Sequence, residues 1–119
     1  PQENEKASYA RLISKDTGKI DWIKTSEQIY NLVRGTNPWP VAYTFYKGER
    51  MRAWKASVVN KEKHGYIPGT IISISRDGMV VACGKGMLKI EEVQVGSGKR
   101  MSVEEYTRGH TLDEGEVLE

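Results

Sequence analysis

The chain has 119 residues, of which 38% are hydrophobic and 29% charged, with a formal net charge of +2. That length suits one domain with a modest core, and no apolar run approaches the roughly 20 residues a membrane-spanning helix needs. The one cysteine, Cys83, leaves no partner for a disulfide within the chain, so nothing argues for secretion.

Pro1 to Lys6 lacks the apolar centre of a signal peptide and reads as a linker or a cut end. Residues 1–8 are polar and expected to be extended. Tyr9 to Ile13 is short and apolar, suited to an edge strand or a docking segment. Asp16-Thr17-Gly18 is a turn cluster. Ile20-Asp21-Trp22-Ile23 is again short and partly apolar.

Thr25-Ser26-Glu27-Gln28 begins a helix, because Thr25 and Gln28 have capping-box spacing. Ile29, Leu32 and Val33 then fall at i, i+3 and i+4, a stripe that faces a core. Gly35 is expected to supply a left-handed cap, giving a helix over about 26–34. Asn37-Pro38-Trp39-Pro40 follows. Each proline fixes φ, lacks a donor and pushes its predecessor to extended backbone. The run is a rigid corner, and beyond it the pattern to about Val95 is that of strands.

Ala42 to Tyr46 is a β-rich run, and Lys47-Gly48 can turn it into a hairpin. Arg50 to Val59 alternates, with Arg52, Trp54, Ala56 and Val58 on one side; Trp54, Ala56 and Val58 are the expected inward set. Asn60 to Tyr66 is a charged loop. Pro68-Gly69 introduces a strand over Thr70 to Ser75, and Asp77-Gly78 is a two-residue hairpin signal. Met79 to Cys83 returns, Gly84-Lys85-Gly86 turns again, and Met87 to Val95 is the last long strand. Ser102 and Glu105 form a second capping box for a helix over about 103–108. Five strands with short connections argue a mainly β domain. Its sheet escapes exposed edges best by closing into a small antiparallel barrel with one or two short flanking helices.

The charge is uneven. Lys47, Arg50, Arg52, Lys55, Lys61 and Lys63 outnumber Glu49 and Glu62, and Lys85, Lys89, Lys99 and Arg100 outnumber Glu91 and Glu92. The segment from Met101 onward is acidic. A basic middle points to a nucleic-acid partner, although ordinary solvated strand faces explain it equally, and on charge alone that plainer account is preferred.

Local motifs carry little chemistry. Gly96-Ser97-Gly98-Lys99-Arg100 fails as a phosphate loop: Val93 stands where the first glycine belongs, and no Ser or Thr follows the lysine. It reads as a turn carrying two cations, which can still meet an RNA phosphate. Gly84-Lys85-Gly86 has no helix after it and reads as a hairpin turn. His64 and His110 are isolated, and no cysteine pair accompanies them, so no metal site is expected. Cys83 lies in an apolar run and reads as a small buried hydrophobe. No nucleophile with a positioned base is visible. Core packing is the expected role of Trp54 and Trp39, while Tyr43, Phe45 and Tyr46 stay open between packing and stacking on bases.

Taken together, Ile20-Asp21-Trp22, Val33-Arg34-Gly35 and Asn37-Pro38-Trp39-Pro40 closely resemble the C-terminal domain of the methionyl-tRNA formyltransferase family. So do Trp54-Lys55-Ala56, Pro68-Gly69-Thr70, Val80-Val81-Ala82-Cys83-Gly84, and Gln94 followed by Lys99-Arg100-Met101-Ser102. The opening Ala7-Ser8-Tyr9-Ala10 fits the family's junction after its linker. Val41 departs from the pattern, which has a small residue, often Gly, after the second proline. The acidic end, Asp113 to Glu119, is the least characteristic part.

The resemblance implies an OB-like barrel over residues 9–119, preceded by an interdomain linker remnant over 1–8. It implies a cytoplasmic parent enzyme that moves a formyl group from 10-formyltetrahydrofolate to initiator Met-tRNA. The folate site and the catalytic Asn, His and Asp of that enzyme belong to an N-terminal Rossmann-like domain, and no position of this chain matches them. The domain itself would then carry no cofactor, metal or membrane contact and would offer cations to the tRNA backbone. Lys47, Arg50, Arg52, Lys85, Lys99 and Arg100 are the expected contacts. Arg34 is a weaker candidate, since it can instead serve the helix C-terminus. Two other readings remain. One is a docking barrel of a related formyltransferase with a sugar-nucleotide or other small substrate. The other is a free-standing single-strand-binding module, which would expose stacking aromatics on the barrel face.

Overall fold

One short helix seated against one long strand sets the arrangement. The structure, a computed structural model, describes residues 18–119. The expected linker, the Tyr9–Ile13 segment and the start of the first turn lie outside those residues. Helix α1 spans Ser26–Gly35. Its capping box forms as the spacing predicts: Thr25 Oγ1 accepts from the Gln28 N–H at 3.1 Å, and Gln28 Oε1 accepts from the Thr25 N–H at 3.0 Å. Ile29 and Val33 are buried, and Leu32 packs on the core from a half-buried position.

The helix stops differently from the expectation. Gly35 stays inside it, and Thr36 ends it with right-handed backbone, φ −99°. The Thr36 hydroxyl and N–H both donate to the Leu32 carbonyl, at 2.7 and 3.0 Å. A threonine hydroxyl thus satisfies the orphan carbonyl that a left-handed glycine was expected to serve. The Val41 N–H donates back to the Thr36 carbonyl at 2.9 Å, closing the proline loop at its base. Both X–Pro bonds in that loop are cis. Trp39 is 60% exposed, so the core packing expected of it is not found. The loop is neither helix nor strand, and no repeat turns its side chains inward.

Strands β1 (Tyr43–Tyr46), β2 (Glu49–Asn60), β3 (Ile71–Ser75), β4 (Gly78–Ala82) and β5 (Met87–Val95) follow, then β6 (Met101–Ser102) and α2 (Val103–Gly109). All pairs are antiparallel, in the order β1-β2-β5-β4-β3, with β6 on β5. The second capping box forms, with Ser102 Oγ accepting from the Glu105 N–H at 3.1 Å. Lys47 and Gly48 take φ of 50° and 85°, the left-handed pair a two-residue hairpin turn requires. The next hairpin is displaced by one residue. Ser75 pairs with Gly78, so Arg76-Asp77 forms the turn. Glycine is needed at 78 because a Cβ there would lie 2.6 Å from the Ile90 carbonyl oxygen.

The alternation read along β2 holds only in part. Met51, Arg52 and Ala53 oppose Val95, Gln94 and Val93, and pairing resumes with Lys55 opposite Glu92. Trp54 is left over as a β-bulge, which reverses the inward parity of the strand. Met51 and Ala53 are therefore buried before the bulge, and Ala56 and Val58 pack on the core after it. Trp54 points to the other face.

The mainly β architecture with two short helices is as expected, but closure is looser than a barrel. β1 and β3 do not pair with each other. Residues 116–119 run between them instead. The Ile71 N–H donates to Glu116 O and the Leu118 N–H to Gly69 O, both at 2.8 Å. Phe45 and Glu119 exchange both backbone bonds, at 2.9 and 3.0 Å. Thr44 completes the tie: its hydroxyl accepts from the buried Trp22 Nε1 at 2.9 Å and donates to Glu119 O at 2.7 Å. Cys83 is buried as expected, and burial pushes its thiol up to about 12.

Candidate nucleic-acid interface

Thr44, Tyr46, Met51, Ala53 and Val93 face the core. Strand period then sends Tyr43, Phe45, Arg50, Arg52 and Gln94 to the outer face, where Tyr43 is nevertheless buried at 7% exposure, and the bulge adds Trp54. Register brings these side chains together: Phe45 opposes Arg50, and Tyr43, Arg52 and Gln94 form one cross-strand row. The Arg50 guanidinium sits 4.5 Å from the Tyr43 ring centroid and 5.9 Å from that of Phe45. Tyr43 and Phe45 meet edge to face at 5.8 Å. Cations and aromatic rings thus alternate across β1 and β2.

Gln94 joins this row to the turn after β5. Its Oε1 accepts from Trp54 Nε1 at 3.0 Å, and its Nε2 donates to the Gly98 carbonyl at 2.9 Å. The Gly96 N–H donates to Arg50 O at 2.8 Å, fastening the same turn to β2. Lys99 and Arg100 follow directly. Arg100 lies 4.6 Å from the Trp54 ring centroid, and its Nε is 2.8 Å from Glu92 Oε1. Lys47, on the β1–β2 turn, bonds the Asp113 carboxylate at 2.6 Å. This contact raises the lysine above its ordinary value and lowers the aspartate, chiefly through the hydrogen bond.

Lys47, Arg50, Arg52, Lys99 and Arg100 accordingly gather at one end of the sheet. Lys85 does not join them. Its carbonyl accepts from the Ser26 N–H at 2.9 Å, and Ser26 Oγ donates to Asn60 O at 2.9 Å, which is the opposite end of β2. Among the described residues Arg52, Lys85 and Lys99 form no ion pair, whereas Lys47 and Arg100 do. Trp54 and Gln94 were not among the expected contacts. Gln94 was visible only as one letter of the resemblance, and Trp54 was hidden by the bulge. No three His, Cys, Asp or Glu side chains cluster as a metal would need among the described residues, and no described helix is long and apolar enough to cross a membrane.

The sequence profile described as "Formyl transferase, C-terminal domain" matches residues 12–111. The chain belongs to that family. A methionyl-tRNA formyltransferase from Acetivibrio thermocellus is 53% identical over 118 residues, 99% of this chain and 38% of the relative. One from Ruminiclostridium cellulolyticum is 47% identical over 121 residues, again 99% of this chain and 38% of the relative. The chain therefore spans about 38% of the length of these curated relatives. Among solved structures, HypX from Aquifex aeolicus superposes with a TM-score of 0.64 at 14% identity, covering 85% of this chain and 19% of that one. HypX in complex with tetrahydrofolic acid gives 0.62 at 13%, covering 87% of this chain and 21% of that one. At these identities the likeness to HypX is one of fold alone.

Proposed function

We propose that residues 9–119 are the tRNA-binding C-terminal domain of a cytoplasmic methionyl-tRNA formyltransferase, joined through a linker over 1–8 to an N-terminal catalytic domain. The observation that carries this reading is the 53% identity to a protein of that name across 99% of the chain. Transfer of the formyl group from 10-formyltetrahydrofolate to initiator Met-tRNA belongs, in this reading, to the catalytic domain. The C-terminal domain supplies affinity and orientation. Lys47, Arg50, Arg52, Lys99 and Arg100 meet phosphates along one strip of the tRNA, and Lys85, at the opposite end of β2, lies outside that strip. Stacking on Tyr43, Phe45 and Trp54 holds the Arg50 and Arg100 guanidinium planes in place, which reduces the side-chain freedom lost on binding.

Titration of the chain with initiator tRNA at several salt concentrations tests this. The association constant is expected to fall linearly with salt on a logarithmic plot, and Arg50→Ala to reduce the slope by about 1. Absence of any affinity for tRNA at low salt would sink the reading and favour a docking barrel for a small-substrate formyltransferase.

A further inference from the structure

Helix α1 buries Ile29 and Val33 but turns Tyr30 and Arg34 onto a ridge beside β2. These two are one helical turn apart, and the guanidinium lies 5.6 Å from the Tyr30 ring centroid. Between this ridge and β2 runs a groove of about 350 Å³, with Tyr30 and Arg34 on one wall and Trp54 and Lys55 on the other. Val33 and Ala56 line it with apolar surface. Trp54, the bulged residue, borders the groove, and its indole donates to Gln94 and lies against Arg100.

The bulge also leaves the Trp54 carbonyl without a ladder partner, and Asn37 Nδ2 donates to it at 3.1 Å. That bond commits the amide nitrogen and orients the carboxamide at the groove's edge. Its Oδ1 has no hydrogen-bond donor among the described residues and can accept one from a ligand. The groove thus combines two aromatic side chains, apolar lining, one acceptor with no donor among the described residues, and two cations: Arg34, which donates to Asn31 Oδ1 at 3.4 Å, and Lys55, 3.7 Å from Glu91 Oε1.

We propose that this groove binds one unpaired nucleotide of the tRNA, its base against Tyr30 and Trp54 and its phosphate at Arg34 and Lys55. The proposal rests on the tRNA reading above and extends it from backbone contact to capture of a base. A neutral apolar ligand would give Arg34 no counter-charge, whereas a phosphate pairs with Arg34 and competes with the long Glu91 contact for Lys55. A paired base cannot enter, because its faces are covered by its neighbours in the helix. Arg100, stacked on Trp54, makes the groove continuous with the cationic strip.

The test uses three probes on the chain: initiator tRNA, a short single-stranded RNA, and a blunt-ended RNA duplex. Tyr30→Leu keeps an apolar side chain on a half-buried site. It should weaken binding of the single strand and the tRNA by about 5- to 150-fold, the range for loss of one base stack. The salt slope should not change, because no charge is removed. Binding of the blunt-ended duplex should stay as it was, and Tyr30→Phe should keep the wild-type affinity. Equal affinity of wild type and Tyr30→Leu for the single strand, in a chain that does bind tRNA, would overturn the groove proposal alone. A wild-type chain with no tRNA affinity would overturn both proposals. A thermal melt of Tyr30→Leu that matches wild type assigns any loss of binding to the groove rather than to the fold.

Discussion

Val41 takes φ of 70° and is 3% exposed, an unusual combination for a β-branched side chain. Left-handed backbone crowds its Cβ at a cost of about 1–2 kcal/mol, which burial of the valine side chain, about 1.5–3 kcal/mol, offsets. Glycine, the small residue the resemblance leads one to expect at this point, would take that dihedral angle without strain. Val93 is equally buried but lies in regular strand. Val41→Gly should therefore lose less stability than Val93→Gly, by about 1 kcal/mol or more; urea unfolding of the two variants compares them directly, and equal losses would show that Val41 carries no strain. The sequence revealed the departure at 41 but not its cause, since φ is set by the Thr36–Val41 bond that closes the loop. Gly35 shows the converse. It had the chemistry of a left-handed cap, and a neighbouring hydroxyl took the role.

At the scale of elements, residues 116–119 matter more than their composition suggests. Backbone bonds tie them to Gly69, Ile71 and Phe45, and Leu118 is 2% exposed in the core. Leu118→Ala should cost about 2–5 kcal/mol, as for other core truncations, where a loosely attached tail would give a change within about 0.5 kcal/mol. Amide exchange at Phe45, whose N–H donates to Glu119 O, should speed up in the same variant; an unchanged rate would mean the segment does not seal the β1 edge. Periodicity could not show this segment, because four residues are too few to alternate visibly and their bonds run through the backbone to distant partners. The longer elements were legible for the opposite reason. The capping boxes at Thr25 and Ser102 and the strand over Met87 to Val95 depend on neighbours in sequence. β2 was legible except at its bulge, where one extra residue exchanged the faces and moved Trp54 from the expected core to the outer surface.

Across the whole molecule the charge is less segregated than the chain order implies. Asp113, from the acidic end, sits on Lys47, and Glu92 sits on Arg100. The basic middle is therefore partly neutralised, and what distinguishes the proposed interface is geometry rather than net charge. Sequence order placed Lys85 with the other cations because all of them flank turns, but strand order places it apart. β2 has 12 residues, so at about 3.3 Å per step its two ends lie at most roughly 36 Å from each other. Screening removes most of a charge's influence beyond about 8–10 Å at physiological salt, so Lys85 cannot assist the distal group without touching RNA itself. Lys85→Ala should then change tRNA affinity less than Arg52→Ala and leave the salt slope nearly unaltered, while Arg52→Ala lowers the slope by about 1. Equal effects of the two substitutions would mean that the RNA runs along the full length of β2, past α1, rather than across the Tyr43–Arg52–Gln94 row. Parallel salt titrations of the two variants decide between these paths, because the slope counts phosphate contacts independently of how strongly each one holds.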